Sequence, residues 1–125
     1  MSESSNVAVV RMYWEQCWNA RLPDRLGEVF HAEYTHGRTP YSPTLLAEII
    51  RDTVRSFPDV QVRIDELADL GDTVITRTRF IGTHGGEYVG LSATGRPIEA
   101  PSLDVFFFRD GLVERMWHLF DHLPL

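Results

Sequence analysis

The sequence predicts an α+β domain in which helices precede an antiparallel sheet, and three observations support this. Hydrophobic residues in the first half recur at three- and four-residue spacing, whereas after Pro58 they alternate with polar residues. The pair Asp110-Gly111 is a strong signal for a hairpin turn. A chain of 125 residues with 43% hydrophobic content can bury one core. We therefore expect one domain over residues 1–125, with helices covering one face of the sheet.

Three helices are predicted in the first half. The first begins after the polar residues 4–6 and ends before Pro23, and the second is a short helix over about residues 22–30. The third begins at the capping residue Ser42 and ends at Phe57, before a proline. The segment between the second and third helices contains a glycine and a proline and is predicted to be a loop.

The second half is predicted to form four or five strands. Alternating patterns, β-branched runs and turn residues mark the strand bounds. The predicted strands are residues 60–65, 73–81, 88–91, 98–109 and 112–121.

Composition and charge exclude several classes of partner. The net charge is −6, and the twelve basic residues, all arginine, are scattered without a cluster, so nucleic acid is not expected. The single cysteine, Cys17, cannot form an internal disulfide. No apolar stretch is long enough to span a bilayer, and the N-terminal segment does not have the pattern of a secretion signal. We expect a cytoplasmic protein without a membrane partner.

An ordered set of short motifs carries a family resemblance. They are Phe57-Pro58-Asp59, Gly71-Asp72, Gly82-Thr83-His84, Thr94-Gly95-Arg96, Asp110-Gly111, Trp117 and Asp121. This set resembles the SnoaL-like polyketide cyclases, also called ester cyclases, a branch of the nuclear transport factor 2-like superfamily that includes ketosteroid isomerase. The resemblance implies a cone-shaped α+β barrel of the cystatin-like type, in which a curved antiparallel sheet packs on N-terminal helices around an apolar pocket.

One position departs from the family pattern. A typical member reads Glu-His-Trp-Asp shortly before the final aspartate, whereas here Trp117 is followed by His118. This change falls beside the expected site, so the substrate of any one relative does not transfer directly.

The resemblance also implies a chemistry and a mode of assembly. It implies a cofactor-independent enzyme that performs an acid/base-catalysed, aldol-type cyclisation of a polyketide or a similar apolar, carbonyl-rich substrate. An isomerase, a dehydratase or an epoxide hydrolase on the same scaffold is the alternative, as is a non-catalytic module that binds an apolar ligand or dimerises. Members of this superfamily often form a homodimer or homotetramer through the sheet.

Asp121 and His84 are the predicted catalytic residues. Aromatic walls around Asp121 would desolvate its carboxylate and raise the pKa above the ordinary value of about 3.9, as a general base requires. His84, at the end of a strand, would hydrogen-bond a substrate oxygen or orient the carboxylate. The structural alternatives are a solvent-facing aspartate and a histidine in a glycine-rich turn.

The last hairpin sets which side chains share a face. A two-residue turn at Asp110-Gly111 would place Asp104 across from Trp117, and Phe107 across from Glu114. Asp104, Trp117 and Asp121 would then share one face, and the resemblance implies that this face lines the pocket. His118 would lie on the other. Asp104 is expected either to pair with its diagonal neighbour Arg115 or to act as a second pocket acid.

The remaining predicted pocket residues are aromatic or polar, and each of the aromatic ones is also a candidate for the core. The substrate-binding set is His36, Trp14, Trp18, Tyr88, Asp104, Trp117 and His118. No metal is expected, because His118 and His122 on a strand would stand roughly 13 Å apart. The predicted ligand is a small apolar or aromatic, carbonyl-rich molecule, and no cofactor is expected.

Overall fold

The computed structural model describes residues 4–121, and its helices lie in the first half of the chain. Helix α1 spans Ser5–Met12, with the Ser4 hydroxyl accepting a hydrogen bond from the backbone N–H of Val7. Helix α2 spans Pro43–Ser56, where Ser42 caps the first turn in the same way and a proline occupies the first position. The third predicted helix is therefore confirmed.

The other helical segments differ from the expected continuous helices. After α1 the chain continues as a π-helix over Tyr13–Asn19, which buries Tyr13, Trp14, Cys17 and Trp18. The second predicted helix is a 3-10 helix over Pro23–Glu28. Both regions carry the expected apolar residues, but spacing alone does not distinguish these tighter and wider helices from an α-helix.

Six strands form one curved sheet, so the expected α+β class is confirmed. The order across the sheet is β2-β1-β6-β5-β4-β3. The strands are β1 (Phe30–His36), β2 (Thr39–Tyr41), β3 (Gln61–Asp69), β4 (Thr73–Thr83), β5 (Pro97–Arg109) and β6 (Leu112–Phe120).

The segment that was predicted to be a loop after the second helix forms strands β1 and β2, so that prediction is wrong. Strand β1 buries Phe30 and Tyr34, and Gly37 turns the chain with a φ of 63°. The partner that holds β1 in the sheet is β6, which pairs with it in parallel. Local sequence patterns cannot reveal a partner so distant in the chain. The predicted short strand at 88–91 is a single antiparallel bridge between Tyr88 and Leu91.

The last hairpin has the expected turn but a different register. Asp110 and Gly111 both have positive φ, and Arg109 pairs with Leu112 across them. Phe108 pairs with Val113, whereas Phe107 pairs with Arg115, so that one extra residue on β6, Glu114, forms a bulge.

This bulge moves the rest of β6 by one position. Asp104 faces His118, and Val105 faces Trp117, so the predicted pairing of Asp104 with Trp117 is wrong. A bulge of one residue exchanges the two faces of every later position on the strand. The inner face of β6 therefore carries Met116 and His118, and Trp117 lies on the outer face.

The core lies between the helical segments and the inner face of the sheet. Its centre is aromatic: Trp14 packs edge-on against Phe80 and Phe106, with ring centroids 5.9 and 6.1 Å apart. Tyr13 packs edge-on against Phe30 and Phe106. These contacts fill one end of the cone and leave the other end open as a cavity.

Candidate active site

A cavity of about 560 Å³ lies between α2, the π-helix and the inner face of the sheet. Its wall is mostly aromatic and aliphatic, and two imidazoles face it, from His36 on β1 and His118 on β6. A few polar groups in an apolar cavity are the usual composition of a small-molecule site. The lining residues are Tyr13, Trp18, His36, Tyr41, Leu46, Ile49, Thr53, Phe57, Val60, Phe80, Tyr88, Ile98, His118, Leu119 and Phe120.

Three hydrogen-bonded polar side chains, from Ser102, Asp104 and His118, link β5 to β6. The Nδ1 atom of His118 lies 2.6 Å from Oδ2 of Asp104, and the other carboxylate oxygen accepts a hydrogen bond of 2.5 Å from the Ser102 hydroxyl. Ser102 Oγ also lies 3.2 Å from His118 Nδ1. Asp104 has no exposed surface, whereas the side chain of His118 is 29% exposed. The Asp104 carboxylate is therefore buried, and the His118 imidazole lies between it and the cavity.

This arrangement fixes the tautomer of the neutral His118 ring. A carboxylate only accepts hydrogen bonds, so Nδ1 must carry the proton that it shares with Asp104. Nε2 then keeps its lone pair and can take a proton from a group in the cavity, while the carboxylate stabilises the imidazolium that forms. The ring is held between aromatic neighbours, stacked with Phe120 at 5.8 Å between centroids. This is the arrangement that a histidine general base requires.

A second buried hydrogen bond lies next to Asp104 in the sheet. Thr76 on β4 is the register partner of Asp104 and is also fully buried. The indole N–H of Trp14 donates a hydrogen bond of 3.2 Å to the Thr76 hydroxyl. The position beside Asp104 is therefore itself tied to the core.

His36 lies near His118, with ring centroids 6.1 Å apart. Its ring stacks on Tyr41 at 4.5 Å, and the Tyr34 hydroxyl lies 3.4 Å from its Nδ1 atom. Burial, and then the neighbouring His118, lower the pKa of His36 from 6.5 to about 4, although Asp104 acts in the opposite direction. His36 is therefore neutral near pH 7.

The structure does not bring His84 into the same cavity. His84 is 5% exposed, its Nδ1 lies 3.0 Å from the Thr94 hydroxyl, and its Nε2 is buried without a hydrogen-bond partner. It borders a separate small cavity, and Phe57 and Tyr88 lie between the two because they border both.

Asp121 follows the end of β6 and is exposed. Its backbone N–H donates a hydrogen bond of 3.0 Å to the carbonyl oxygen of Pro101. The implied assignment of the Asp121 face of β6 to the pocket is wrong, because the bulge turns His118 and Phe120 inward. The catalytic role of Asp121 stays a prediction. His122 lies outside the described residues.

Two further expectations on this hairpin are corrected. Asp104 does not pair with Arg115, since its partners are Ser102 and His118, while the Arg115 guanidinium lies on the outer face, 4.1 Å from the centre of the Phe107 ring. Trp117 is 36% exposed and does not line the cavity. Both corrections follow from the bulge.

The predicted aromatic wall is found in part. Trp18 and Tyr88 line the cavity, and Trp14 belongs to the core behind it. Tyr13, which the same aromatic pattern also suggests as a wall residue, lines it as well. Tyr41 lines it but was not predicted to bind substrate. Ser102, which bonds Asp104, was also missed, and its spacing of two from Asp104 on a strand was the available signal.

Within residues 4–121, no group of three or more histidine, cysteine, aspartate or glutamate side chains is arranged to hold a metal ion. In the same part of the chain, no helix has the length and apolar character needed to cross a membrane.

Comparisons with known proteins agree with this architecture. Residues 8–125 match the family model described as SnoaL-like polyketide cyclase. The chain is 27% identical over 117 residues to the aklanonic acid methyl ester cyclase AcmA of Streptomyces galilaeus. The aligned region covers 88% of this chain and 80% of AcmA. TsrD from Streptomyces laurentii superimposes with a TM-score of 0.88 at 25% identity, over 99% of this chain and 93% of that one. IdmH from Streptomyces antibioticus superimposes with a TM-score of 0.85 at 23% identity, over 97% of this chain and 95% of that one.

Proposed function

Because the chain belongs to the SnoaL-like polyketide cyclase family, we propose that it cyclises a carbonyl-rich apolar substrate by an intramolecular aldol reaction, with His118 as the acid/base group. The observation that carries this proposal is the hydrogen bond between His118 and the buried carboxylate of Asp104 at the edge of the cavity. His118 stands where the typical family member has an aspartate after the tryptophan. The position keeps an acid/base side chain, and a carboxylate on the adjacent strand orients it.

The proposed reaction begins with proton removal. His118 Nε2 takes a proton from a carbon between two carbonyl groups, and the electrons of the broken C–H bond form an enolate. The enolate carbon attacks a second carbonyl of the same molecule, so a C–C bond forms and that carbonyl oxygen becomes an alkoxide. The imidazolium returns its proton to the alkoxide. Substrate and product have the same composition, and no cofactor is consumed.

The apolar wall contributes to this reaction in two ways. Aromatic rings such as Trp18, Phe80 and Tyr88 hold the flexible substrate in a folded conformation, which brings the two reacting carbons together. Low polarity in the cavity also strengthens the electrostatic interaction between the imidazolium and the oxyanions.

Asp121 is the alternative acid/base group. Asp121 is exposed and is not among the residues that line the cavity, whereas His118 lines it and is hydrogen-bonded to a buried carboxylate. We therefore favour His118.

The first test uses aklanonic acid methyl ester, the compound in the name of the relative AcmA. We expect a product of unchanged mass and altered retention. His118→Gln should reduce kcat by about 10³-fold or more, because the base is removed. His31→Gln is the matched control, since His31 bonds the backbone oxygen of Arg109 away from the cavity.

Each other result has a defined reading. Full activity of His118→Gln together with loss in Asp121→Asn would transfer the acid/base role to Asp121. Loss or gain of one water in the product would indicate a dehydratase or a hydrolase. Binding of polycyclic ketones that raises the Tm without turnover of any carbonyl-rich compound would indicate a binding module.

We also propose a homodimer, or a homotetramer, that forms through the outer face of the sheet. Leu103 on β5 and Trp117 on β6 lie on this face, and their exposed fractions are 41% and 36%. Light scattering after size exclusion should give at least twice the mass of one chain. Leu103→Glu should yield monomers with unchanged secondary structure, and a monomeric unmodified protein at micromolar concentration would contradict the proposal.

A further inference from the structure

His36 is the second imidazole that lines the cavity, and the acid/base reaction assigned to His118 gives it no role. His36 lies at the end of β1, and its ring centroid is 6.1 Å from that of His118. The two rings are inclined by 59°, so they do not stack on each other. The inference below rests on the proposed function, because it concerns the oxygen of the enolate that His118 would generate.

Contacts around His36 fix its orientation and place a hydroxyl beside one ring nitrogen. The ring stacks on Tyr41, with 18° between the ring planes. The Tyr34 side chain is buried, and burial raises the pKa of its phenol, so that the hydroxyl keeps its proton and can donate. The inference requires that it donates to His36 Nδ1, which lies 3.4 Å away. A neutral ring whose Nδ1 accepts a hydrogen bond carries its proton on Nε2.

The charge of the ring follows from its surroundings. The groups that face it are the phenols of Tyr34 and Tyr41, the imidazole of His118 and, behind that imidazole, the carboxylate of Asp104. Burial is the largest influence on the pKa of His36 and favours the uncharged ring. A neutral imidazole has no acceptor left when Nδ1 is engaged, so it can only donate from Nε2.

We propose that His36 Nε2–H donates a hydrogen bond to the substrate carbonyl oxygen on which negative charge develops when His118 removes the neighbouring proton. The proton and the oxygen of an enolising ketone are separated by two carbon atoms, so a base and a donor must approach them from different directions. Two imidazoles on neighbouring strands, inclined to each other across the same cavity, meet this requirement. Donors placed where charge develops are a major source of catalysis.

The pairing of an ionising base with a neutral histidine is chemically sound. A neutral imidazole stabilises an oxyanion by hydrogen bonding, without losing its proton to the intermediate as readily as an imidazolium would. Tyr34 would then be a positioning residue, because its ring packs on Phe30 and Tyr41 while its hydroxyl acts on the reaction only through the tautomer of His36. A purely structural His36, which fills space between Tyr41 and His118, would predict neither a fixed tautomer nor an effect on bound oxyanions.

The tautomer is tested first, by ¹⁵N–¹H correlation spectra of the histidine side chains in the folded protein at pH 7. We expect the His36 signals of a neutral ring protonated at Nε2, identified by their absence in His36→Gln. In Tyr34→Phe the ring should become a mixture of both tautomers while the fold is retained. A ring protonated at Nδ1, or a charged ring at pH 7, would overturn the inference.

Binding of an oxyanion is tested independently of turnover. The probe is 4-nitro-1-naphthol, at a pH where the free compound is ionised and its anion can be followed by absorbance. His36→Phe keeps the stack on Tyr41 and removes the donor, so the Kd of the anion should rise by about tenfold or more. His36→Gln, which keeps an N–H donor, should bind more tightly than His36→Phe. Equal Kd values for the unmodified protein and both variants would overturn the inference.

Turnover separates this inference from the proposed function. With aklanonic acid methyl ester, His36→Phe should lower kcat by about 100-fold and change KM much less, because the donor acts mainly in the transition state. If His118→Gln is inactive while His36→Phe retains full kcat and probe binding, the inference fails and the proposed function stands. If His118→Gln retains full activity, the proposed function fails, and the tautomer and the naphtholate measurements still decide whether His36 is an oxyanion donor.

Discussion

Strand β5 carries two carboxylates whose hydrogen bonds are similar in length but whose surroundings differ. On the inner face, Asp104 lies 2.6 Å from His118 and has no exposed surface. On the outer face, Glu99 lies 2.5 Å from Arg79 and its side chain is 55% exposed. An exposed ion pair contributes little to stability because water and salt compete with it, whereas a buried carboxylate is costly unless its partners remain. Distance alone therefore does not identify the functional pair.

The two faces also differ in how their groups are held. Arg79 connects Glu99 with Asp65, so the outer pair is part of a charged network along the surface of the sheet. The inner carboxylate is instead held by the hydroxyl of Ser102 and by the Nδ1 side of the His118 ring. Under the proposed function, the inner carboxylate orients the His118 imidazole, which a hydrophobic residue at that position could not do.

The largest effect is expected when this comparison is tested with the same substitution on both faces. Asp104→Asn removes the charge that stabilises the His118 imidazolium and permits the wrong tautomer, so kcat should fall by about 10³-fold or more. Glu99→Gln on the same strand should retain at least half of the activity. The measurement is turnover of aklanonic acid methyl ester, with circular dichroism to check the fold. Equal activities of the two variants would remove Asp104 from the mechanism.

A second expected effect concerns the stability of the inner site against acid. The pKa of His36 is lowered from 6.5 to about 4 in the folded protein, so between these values the unfolded chain binds more protons. The free energy of unfolding should therefore fall as the pH decreases from about 6.5 to 4, by on the order of 3 kcal/mol from this group. Above pH 6.5 its contribution is fully present.

Urea unfolding at several pH values checks this effect. His36→Phe, which keeps an aromatic ring on Tyr41, should lack this part of the pH dependence. Subtracting its curve from that of the unmodified protein isolates His36 from carboxylates such as Asp59, whose pKa is lowered first by the backbone N–H of Thr83. Parallel curves for the two proteins would show that His36 titrates normally.

The fold class could be predicted from the sequence because the helical spacing in the first half and the strand alternation in the second half are both regular. Helix α2 has its cap, its proline and a regular apolar stripe, and the turn at Asp110-Gly111 has the residues that positive φ requires. Strand β1 was missed because Gly37 and Pro40 indicate a loop. In the structure this segment is a hairpin in which β2 pairs with β1, and β6, far away in the chain, pairs with the other edge of β1. The parallel pairing with β6 leaves no local signal in the sequence.

The site was predicted less well, and the bulge at Glu114 is the main reason. His118 and Asp104 were both identified as pocket candidates, but one extra residue in β6 decides that they meet. No residue near Glu114 marks the bulge, since neither glycine nor proline lies next to it. His84 was predicted to be catalytic because it lies at the end of a strand. In the structure it lines a separate small cavity.

The smallest effect is expected on the outer face, in the response of stability to salt. Glu99→Gln should shift the Tm by no more than about 2 °C in dilute buffer, because its partner Arg79 also keeps Asp65, whose pKa that arginine lowers. In about 1 M NaCl the shift should disappear, since exposed charges are screened over about 3 Å. Asp104→Asn should change the Tm equally at both salt concentrations, because its surroundings exclude ions. A salt-dependent shift in Asp104→Asn would mean that the inner carboxylate is open to solvent, and the contrast between the two faces of β5 would fail.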